Sequence, residues 1–262
     1  ALVYHPIFGQ VAQLDRASDY GSEGLGVRIP PGALMGIIYL GDIHGELRVF
    51  EKLRKVVTEE DTIIQVGDFG IDENLRGNIL RGWDKKFGDF PCPVYFIDGN
   101  HENFDTIDTW DKDDISEVAT SLFYIPRGMV KVMPNGQRIG FLGGGPSIDK
   151  AWRVEGRSWW PQELITDEDV DRLLRNVGDE PLDVLVTHVS PTDVNLRHFG
   201  RLDIREWDLP IGWIDECSAK VEFLIEFLKP KLHVCGHMHR SVRDGVTRIL
   251  DINEAWVPGY GE

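Results

Sequence analysis

Cysteine is scarce. Cys92, Cys217 and Cys235 are the only three in 262 residues, widely spaced and without a Cys-x-x-Cys pair. An odd, dispersed set makes neither a disulfide framework nor a cysteine zinc site, so the thiols read as reduced and the expected compartment is the cytoplasm. Long apolar runs are missing too. No stretch approaches the roughly 20 residues that a membrane helix needs, and Gln10, Asp15, Arg16 and Asp19 interrupt any signal-peptide core near the N-terminus. Basic residues are few, with 28 Lys and Arg against 44 Asp and Glu, for a formal net charge of −16. Such a surface repels a polyphosphate backbone and speaks against non-specific nucleic-acid binding, although a site built with metal ions would be locally positive. Gly143-Gly144-Gly145 lacks the Gly-Lys-Ser/Thr ending of a phosphate-binding loop, and no Gly-x-Ser-x-Gly elbow occurs.

What is present is an ordinary globular composition, 42% hydrophobic and 27% charged. Residues 1–34 stand apart, with no period of two or 3.6, several glycines and the ending Ile29-Pro30-Pro31-Gly32. The stretch Val11-Ala12-Gln13-Leu14-Asp15-Arg16-Ala17-Ser18 resembles the conceptual translation of a transfer-RNA gene. The expectation is a disordered or non-native extension over 1–34 and one folded domain over 35–262, opening at Met35.

From Met35 onward, strand-like runs cover 36–40, 62–66, 93–97, 122–125, 129–133, 138–142, 183–187, 231–235 and 246–250. Leu47, Phe50, Leu53 and Val57 share a helical face between the first two, and further helices are predicted at 73–87, 167–177 and 214–229. The alternation implies an α/β fold with βαβ units and a largely parallel, buried sheet. Asn135-Gly136 between two runs is a hairpin signal.

The informative residues follow the strands. Gly41-Asp42-Ile43-His44-Gly45-Glu46 follows the first, Gly67-Asp68-Phe69-Gly70 the second, and Asp98-Gly99-Asn100-His101-Glu102 the third. His188-Val189-Ser190-Pro191 and Gly236-His237-Met238-His239-Arg240 follow two later ones. In a parallel sheet the carboxyl ends of the strands share one edge, where ligands bind, so these distant segments should converge. The convergent set is Asp42, His44, Asp68, Asn100, His188, His237 and His239. Mixed oxygen and imidazole donors suit a first-row divalent metal such as Mn, Fe, Zn or Ni. Seven donors with one shared carboxylate suit two adjacent ions. Two such ions outweigh Asp42, Asp68 and a bridging hydroxide, leaving a positive centre that attracts a phosphate oxyanion, and two-metal sites of this kind hydrolyse phosphate esters.

Asp-x-His, Gly-Asp, Gly-Asn-His-Glu, a lone His and Gly-His-x-His, in this order, resemble the calcineurin-like metallophosphoesterase family over about residues 36–252. The resemblance implies a four-layer α-β-β-α sandwich with mixed, largely parallel sheets. It implies a first metal held by Asp42, His44, Asp68 and His239, with Asp68 bridging to a second held by Asn100, His188 and His237. Manganese is the ion expected to serve in vitro. It also implies that Asn100 and His101 contact the substrate phosphate and that His101 protonates the leaving oxygen; Asp98, close to His101 in sequence, is a candidate orienting partner. The expected substrate is a small phosphorylated molecule or nucleotide. The expected reaction is hydrolysis of a phosphomonoester by a metal-bridging hydroxide. A phosphodiesterase on cyclic or dinucleotide substrates is the alternative, and a scaffold that has lost the chemistry a further one.

Two departures matter. The second motif continues Phe69-Gly70 where the family's protein phosphatases have Arg-Gly, so a phosphate-binding arginine is missing there. Gly-His-Met-His belongs to the broader non-protein-phosphatase branch, and Gly144-Gly145-Pro146-Ser147-Ile148-Asp149 with Trp159-Trp160-Pro161 is similar to small bacterial and phage members. Arg240, Arg153 and Arg157 are candidates for the missing cation, Arg240 foremost. Taken singly, each motif has a plain reading as a turn, a capping Asn or a loop histidine. The weight lies in five ordered matches at five strand ends. His233, within a strand, reads as core, and the tryptophans as core or pocket wall.

Overall fold

A computed structural model describes residues 36–72, 79–200 and 208–259. The expectation for residues 1–34 lies outside them, as does the start of the helix predicted at 73–87. In chain order the elements are β1 (Ile37–Leu40), α1 (Arg48–Leu53), β2 (Thr62–Gln65), α2 (Ile79–Phe87), β3 (Val94–Phe96), α3 (Phe104–Ile107), β4 (Ser116–Ala119), β5 (Leu122–Tyr124), β6 (Val130–Val132) and β7 (Arg138–Leu142). There follow α4 (Asp167–Val177), β8 (Val184–Thr187), α5 (Thr192–His198), α6 (Asp215–Leu228), β9 (Leu232–Cys235), β10 (Val242–Asp244), β11 (Thr247–Ile249) and β12 (Ala255–Trp256).

Among the described residues the strands form two six-stranded sheets, ordered β12-β1-β2-β3-β5-β4 and β10-β11-β9-β8-β7-β6. In each, four central strands run parallel and one antiparallel strand closes each edge. Strand periodicity sorts the core into layers. Ile37 and Tyr39 point into a cluster shared with Phe141, Val184, Val186 and Val234 of the other sheet. Ile38 and Leu40 point away, against Phe50 and Leu53 of α1 and Trp83 and Phe87 of α2. Leu142 and Leu185 likewise back onto Leu173 of α4 and Val221 and Leu224 of α6. Two sheets packed face to face, each covered outside by helices, are the four layers expected from the motifs.

Local signals account for the boundaries that the sequence places well. α4 begins at a capping box, where the Thr166 side chain takes the Asp169 N–H and Asp169 returns to the Thr166 N–H, and Gly178 ends it. Asn135-Gly136 makes the β6–β7 turn, with Gly136 at φ 84°. The strands β4, β10 and β12 and the short helices α3 and α5 have no counterpart among the predicted elements. The three strands are short sheet edges, without the apolar run that betrays a central strand. Cys92, Cys217 and Cys235 are free and buried. Burial pushes the Cys92 thiol up to about 12 and Cys217 to about 11, the opposite of an activated nucleophile.

Candidate metal centre

The carboxyl ends of β1, β2 and β3 in one sheet and of β8 and β9 in the other open onto the same edge. The backbone there is bent out of ordinary conformations. His44, Asp68, His237 and His239 all have positive φ, between 44° and 66°, which side-chain-bearing residues adopt at a cost and which clusters at functional sites. Asp68 binds the first loop to the second, its carbonyl accepting from the N–H groups of Ile43 and His44. Two glycines let the loops approach this closely. A Cβ on Gly99 would overlap the Asp68 carboxylate, and one on Gly236 would overlap that of Asp42.

Donor atoms of Asp42, His44, Asp68 and His239 lie within 4.8 Å of one another, and so do those of Asp68, His188 and His237. In the first group His44 Nε2 faces His239 Nε2 at 3.0 Å, and His239 Nε2 lies 3.1 Å from Asp42 Oδ2. In the second, His188 Nε2 lies 3.2 Å from His237 Nδ1. Asp68 joins the two, with Oδ2 3.8 Å from His44 Nε2 and Oδ1 3.4 Å from His188 Nε2. Asn100 completes the second group, its Oδ1 lying 2.9 Å from His237 Nδ1 and 3.1 Å from His188 Nε2. All seven expected ligands therefore meet in one place, in the two sets the resemblance implied.

The donor chemistry fits cations. His188 Nδ1 lies 3.0 Å from the Val66 carbonyl, which can only accept, so the proton of a neutral His188 sits there. Its bare Nε2 then faces Asn100 Oδ1 and Asp68 Oδ1, acceptor against acceptor. Only a proton or a metal ion at the centre makes that arrangement favourable. Without metal a proton takes the place: burial opposes the charge, but the Asp68 carboxylate outweighs it and raises His188 to about 9. Burial likewise opposes the ionisation of Asp68, yet the imidazoles around it, His188 foremost, hold its pKa well below the ordinary value. Burial lowers His44 and pushes His237 down to about 3, keeping both as neutral donors.

Beside the ligands, His101 is buried and its backbone N–H donates to Asp68 Oδ1 at 2.8 Å. Its ring packs edge-on against His44, with centroids 4.8 Å apart. Glu102, unassigned by the sequence reading although it ends the Gly-Asn-His-Glu motif, accepts from the N–H groups of Phe69, Gly70 and Ile71 and fixes the loop beyond Asp68.

Asp98 requires a correction. Its carboxylate does not turn to His101; Oδ1 accepts from the Tyr124 hydroxyl at 3.0 Å and Oδ2 from Arg127 Nε and Nη2 at 2.8 and 2.6 Å. The chain leaves β3 after Phe96, so strand alternation no longer relates residues 98 and 100. Arg153 lies beside the His101 ring instead, with Nη2 2.8 Å from His101 Nε2 and 3.2 Å from Nδ1. Arg240 is exposed and lies over the Phe199 ring at 5.9 Å, and Arg157 is exposed. Trp160 joins the core, and Trp159 packs against the Lys150 ammonium. His233 lies buried between the hydroxyls of Thr187 and Thr247, as core.

Among the described residues no helix is long and apolar enough to cross a membrane. The family model for calcineurin-like phosphoesterases matches residues 35–241. The crystal structure of TT1561 of Thermus thermophilus superposes with a TM-score of 0.53 at 12% identity, covering 84% of this chain and 91% of that one. A second solved structure gives a TM-score of 0.50 at 12% identity, covering 85% and 91%. At that identity the likeness is one of fold. No curated protein matches the chain. The family match spans most of the chain and runs through all five motifs, and on it the chain belongs to the calcineurin-like phosphoesterases.

Proposed function

We propose that the chain is a dinuclear metal-dependent phosphoesterase that hydrolyses a phosphomonoester. The reading rests above all on Asp68, whose two oxygens divide between two groups of imidazole and carboxylate donors. Asp42, His44, Asp68 and His239 would hold one ion, and Asp68, Asn100, His188 and His237 the other. Two bound divalent ions supply Lewis acidity toward phosphoryl oxygens and acidify water near neutral pH.

The chain's own residues supply the rest. Water attacks phosphorus in line, a new phosphorus–oxygen bond forms, and the bond to the alcohol oxygen breaks. The departing oxygen needs a proton, and His101 stands at the edge of the centre to give it. His101 also has its backbone tied to Asp68, which fixes its ring relative to both donor groups. Arg153 brings a guanidinium to the same edge, its Nε held by Asp149 and its Nη1 by the Ser158 carbonyl, so that Nη2 faces His101 and can donate to a phosphoryl oxygen. A small phosphorylated molecule or nucleotide is the substrate class, and manganese the ion for assay.

Turnover of p-nitrophenyl phosphate against its bis ester, with Mn²⁺, tests the reading. Faster hydrolysis of the monoester is expected. A preference for the bis ester would make the enzyme a diesterase, and failure on both with no metal bound would make the chain a scaffold.

A further inference from the structure

Asn100 can serve the second donor group only with one end of its amide. The oxygen can take a cation; the NH₂ group has no lone pair to offer. Nothing in the shape of the side chain distinguishes the two ends, so something must set its direction.

The hydrogen-bond chain behind Asn100 does so. Its Nδ2 donates to the Ser147 hydroxyl at 3.2 Å, and that hydroxyl donates to Glu163 Oε2 at 2.7 Å. Glu163 Oε1 meanwhile accepts from the Ser147 backbone N–H at 2.8 Å. Ser147 and Glu163 are both fully buried, so water does not substitute for any of these partners. Burial raises Glu163 to about 7, so above that pH it stands as a carboxylate, which only accepts, and a hydroxyl has one hydrogen. With that hydrogen spent on Glu163, Ser147 offers Asn100 nothing but lone pairs. The amide NH₂ must therefore face Ser147, and the oxygen must face His188 and His237.

Both ends of the chain are anchored. Arg127 donates to the carbonyls of Gln162, Glu163 and Leu164, and Asp98 holds Arg127 in place. The Trp213 indole donates to the Ser147 carbonyl at 3.0 Å. The aspartate expected to orient His101 thus steadies the turn that carries Glu163.

We propose that Glu163, acting through the Ser147 hydroxyl, is a positioning residue that turns the carbonyl oxygen of Asn100 toward the second metal. The proposal rests on the dinuclear reading above.

The test is Glu163→Gln, which keeps the shape and reverses the polarity. A glutamine there accepts from the Ser147 N–H through its oxygen, which leaves its NH₂ donating to the Ser147 hydroxyl. That hydroxyl is then free to donate toward position 100, and the amide turns its oxygen away from the metal. Chelated protein is titrated with Mn²⁺ by calorimetry at about pH 8, where Glu163 is ionised, and folding of each variant is checked by its metal-free melting temperature. Wild type should bind two ions, and Glu163→Gln should bind the second about 10- to 100-fold more weakly, the usual range for lost support of a ligand. Adding Asn100→Asp to Glu163→Gln should restore the second ion, because a carboxylate presents oxygen to both sides and accepts from Ser147. A merely structural Glu163 predicts no such rescue. Wild-type affinity in Glu163→Gln, or no recovery in a folded double variant, overturns the proposal alone. A wild type that binds no second ion overturns the dinuclear reading, and this proposal with it.

Discussion

Arg153 Nη2 lies 2.8 Å from His101 Nε2, so the guanidinium at this edge of the centre is docked on the proposed acid. An arginine only donates, and with Nη2 also 3.2 Å from Nδ1, one of the two His101 ring nitrogens must be accepting. A phosphate arriving between them would draw the guanidinium onto its own oxygens and release that nitrogen to carry a proton. Arg153→Ala should raise KM for a phosphomonoester about tenfold or more, equivalent to about 1.4 kcal/mol of binding, with the metal content unchanged. An unaltered KM would remove Arg153 from substrate binding.

His101→Ala should lower kcat by about 100-fold or more, the scale of general acid catalysis, with both ions retained. The loss should shrink for a substrate whose leaving group needs no proton, such as p-nitrophenol, relative to an alkyl phosphate. Equal losses on both would point to phosphate binding instead of proton transfer.

The seven donors are legible because each sits directly after a strand of a parallel sheet, where apolar runs are long and the chain order of motifs is informative. Central strands buried on both faces announce themselves; the edges β4, β10 and β12 do not. Closeness in sequence to His101 misplaces Asp98, because its carboxylate turns instead to Tyr124 and Arg127. Ser147 sits in a segment picked out only by its likeness to small family members, with no role attached, and Glu163 leaves no signal at all. They meet across an irregular segment with no period, and only the folded loop shows that a carboxylate stands behind Asn100. Arg153 is one of three candidate arginines of which the sequence reading puts Arg240 first; loop geometry decides which reaches His101.

Asp98 now carries a different expectation. Asp98→Ala leaves the Arg127 guanidinium buried without its carboxylate and should cost about 3–5 kcal/mol, the scale for breaking a buried ion pair. Chemical denaturation measures it. A loss below about 1 kcal/mol would mean that the other acceptors around Arg127 suffice.

Metal-free protein should be less stable on both sides of about pH 6.5. His188 is raised to about 9, so the stability its charge contributes is present below the unfolded value near 6.5 and is lost as pH rises through 9. His237 and His233, pushed to about 3 by burial, act in the other direction. Between about pH 6.5 and 3 the unfolded chain binds protons that these folded histidines refuse, and stability falls on acidification. Mn²⁺ should remove the alkaline loss, since a protonated imidazole cannot ligate and affinity rises as His188 gives up its proton. Melting temperatures from pH 4 to 9.5, with and without Mn²⁺, check both limbs. Parallel curves would contradict the assignment of His188.

Gly236→Ala would place a methyl group where the Asp42 carboxylate lies, so the loop or the carboxylate must shift. Mn²⁺ affinity should fall about tenfold or more, as for other displaced metal-site geometry. Unchanged affinity would show that the loop yields without moving the ligand.

The sharpest measurement is the metal content of wild type and Asp68→Ala after loading with Mn²⁺ and desalting. Two ions per chain are predicted for wild type, and fewer than one for the variant, because both donor groups draw on that carboxylate. One ion or none in wild type, or two in Asp68→Ala, would contradict a centre built around the carboxylate of residue 68.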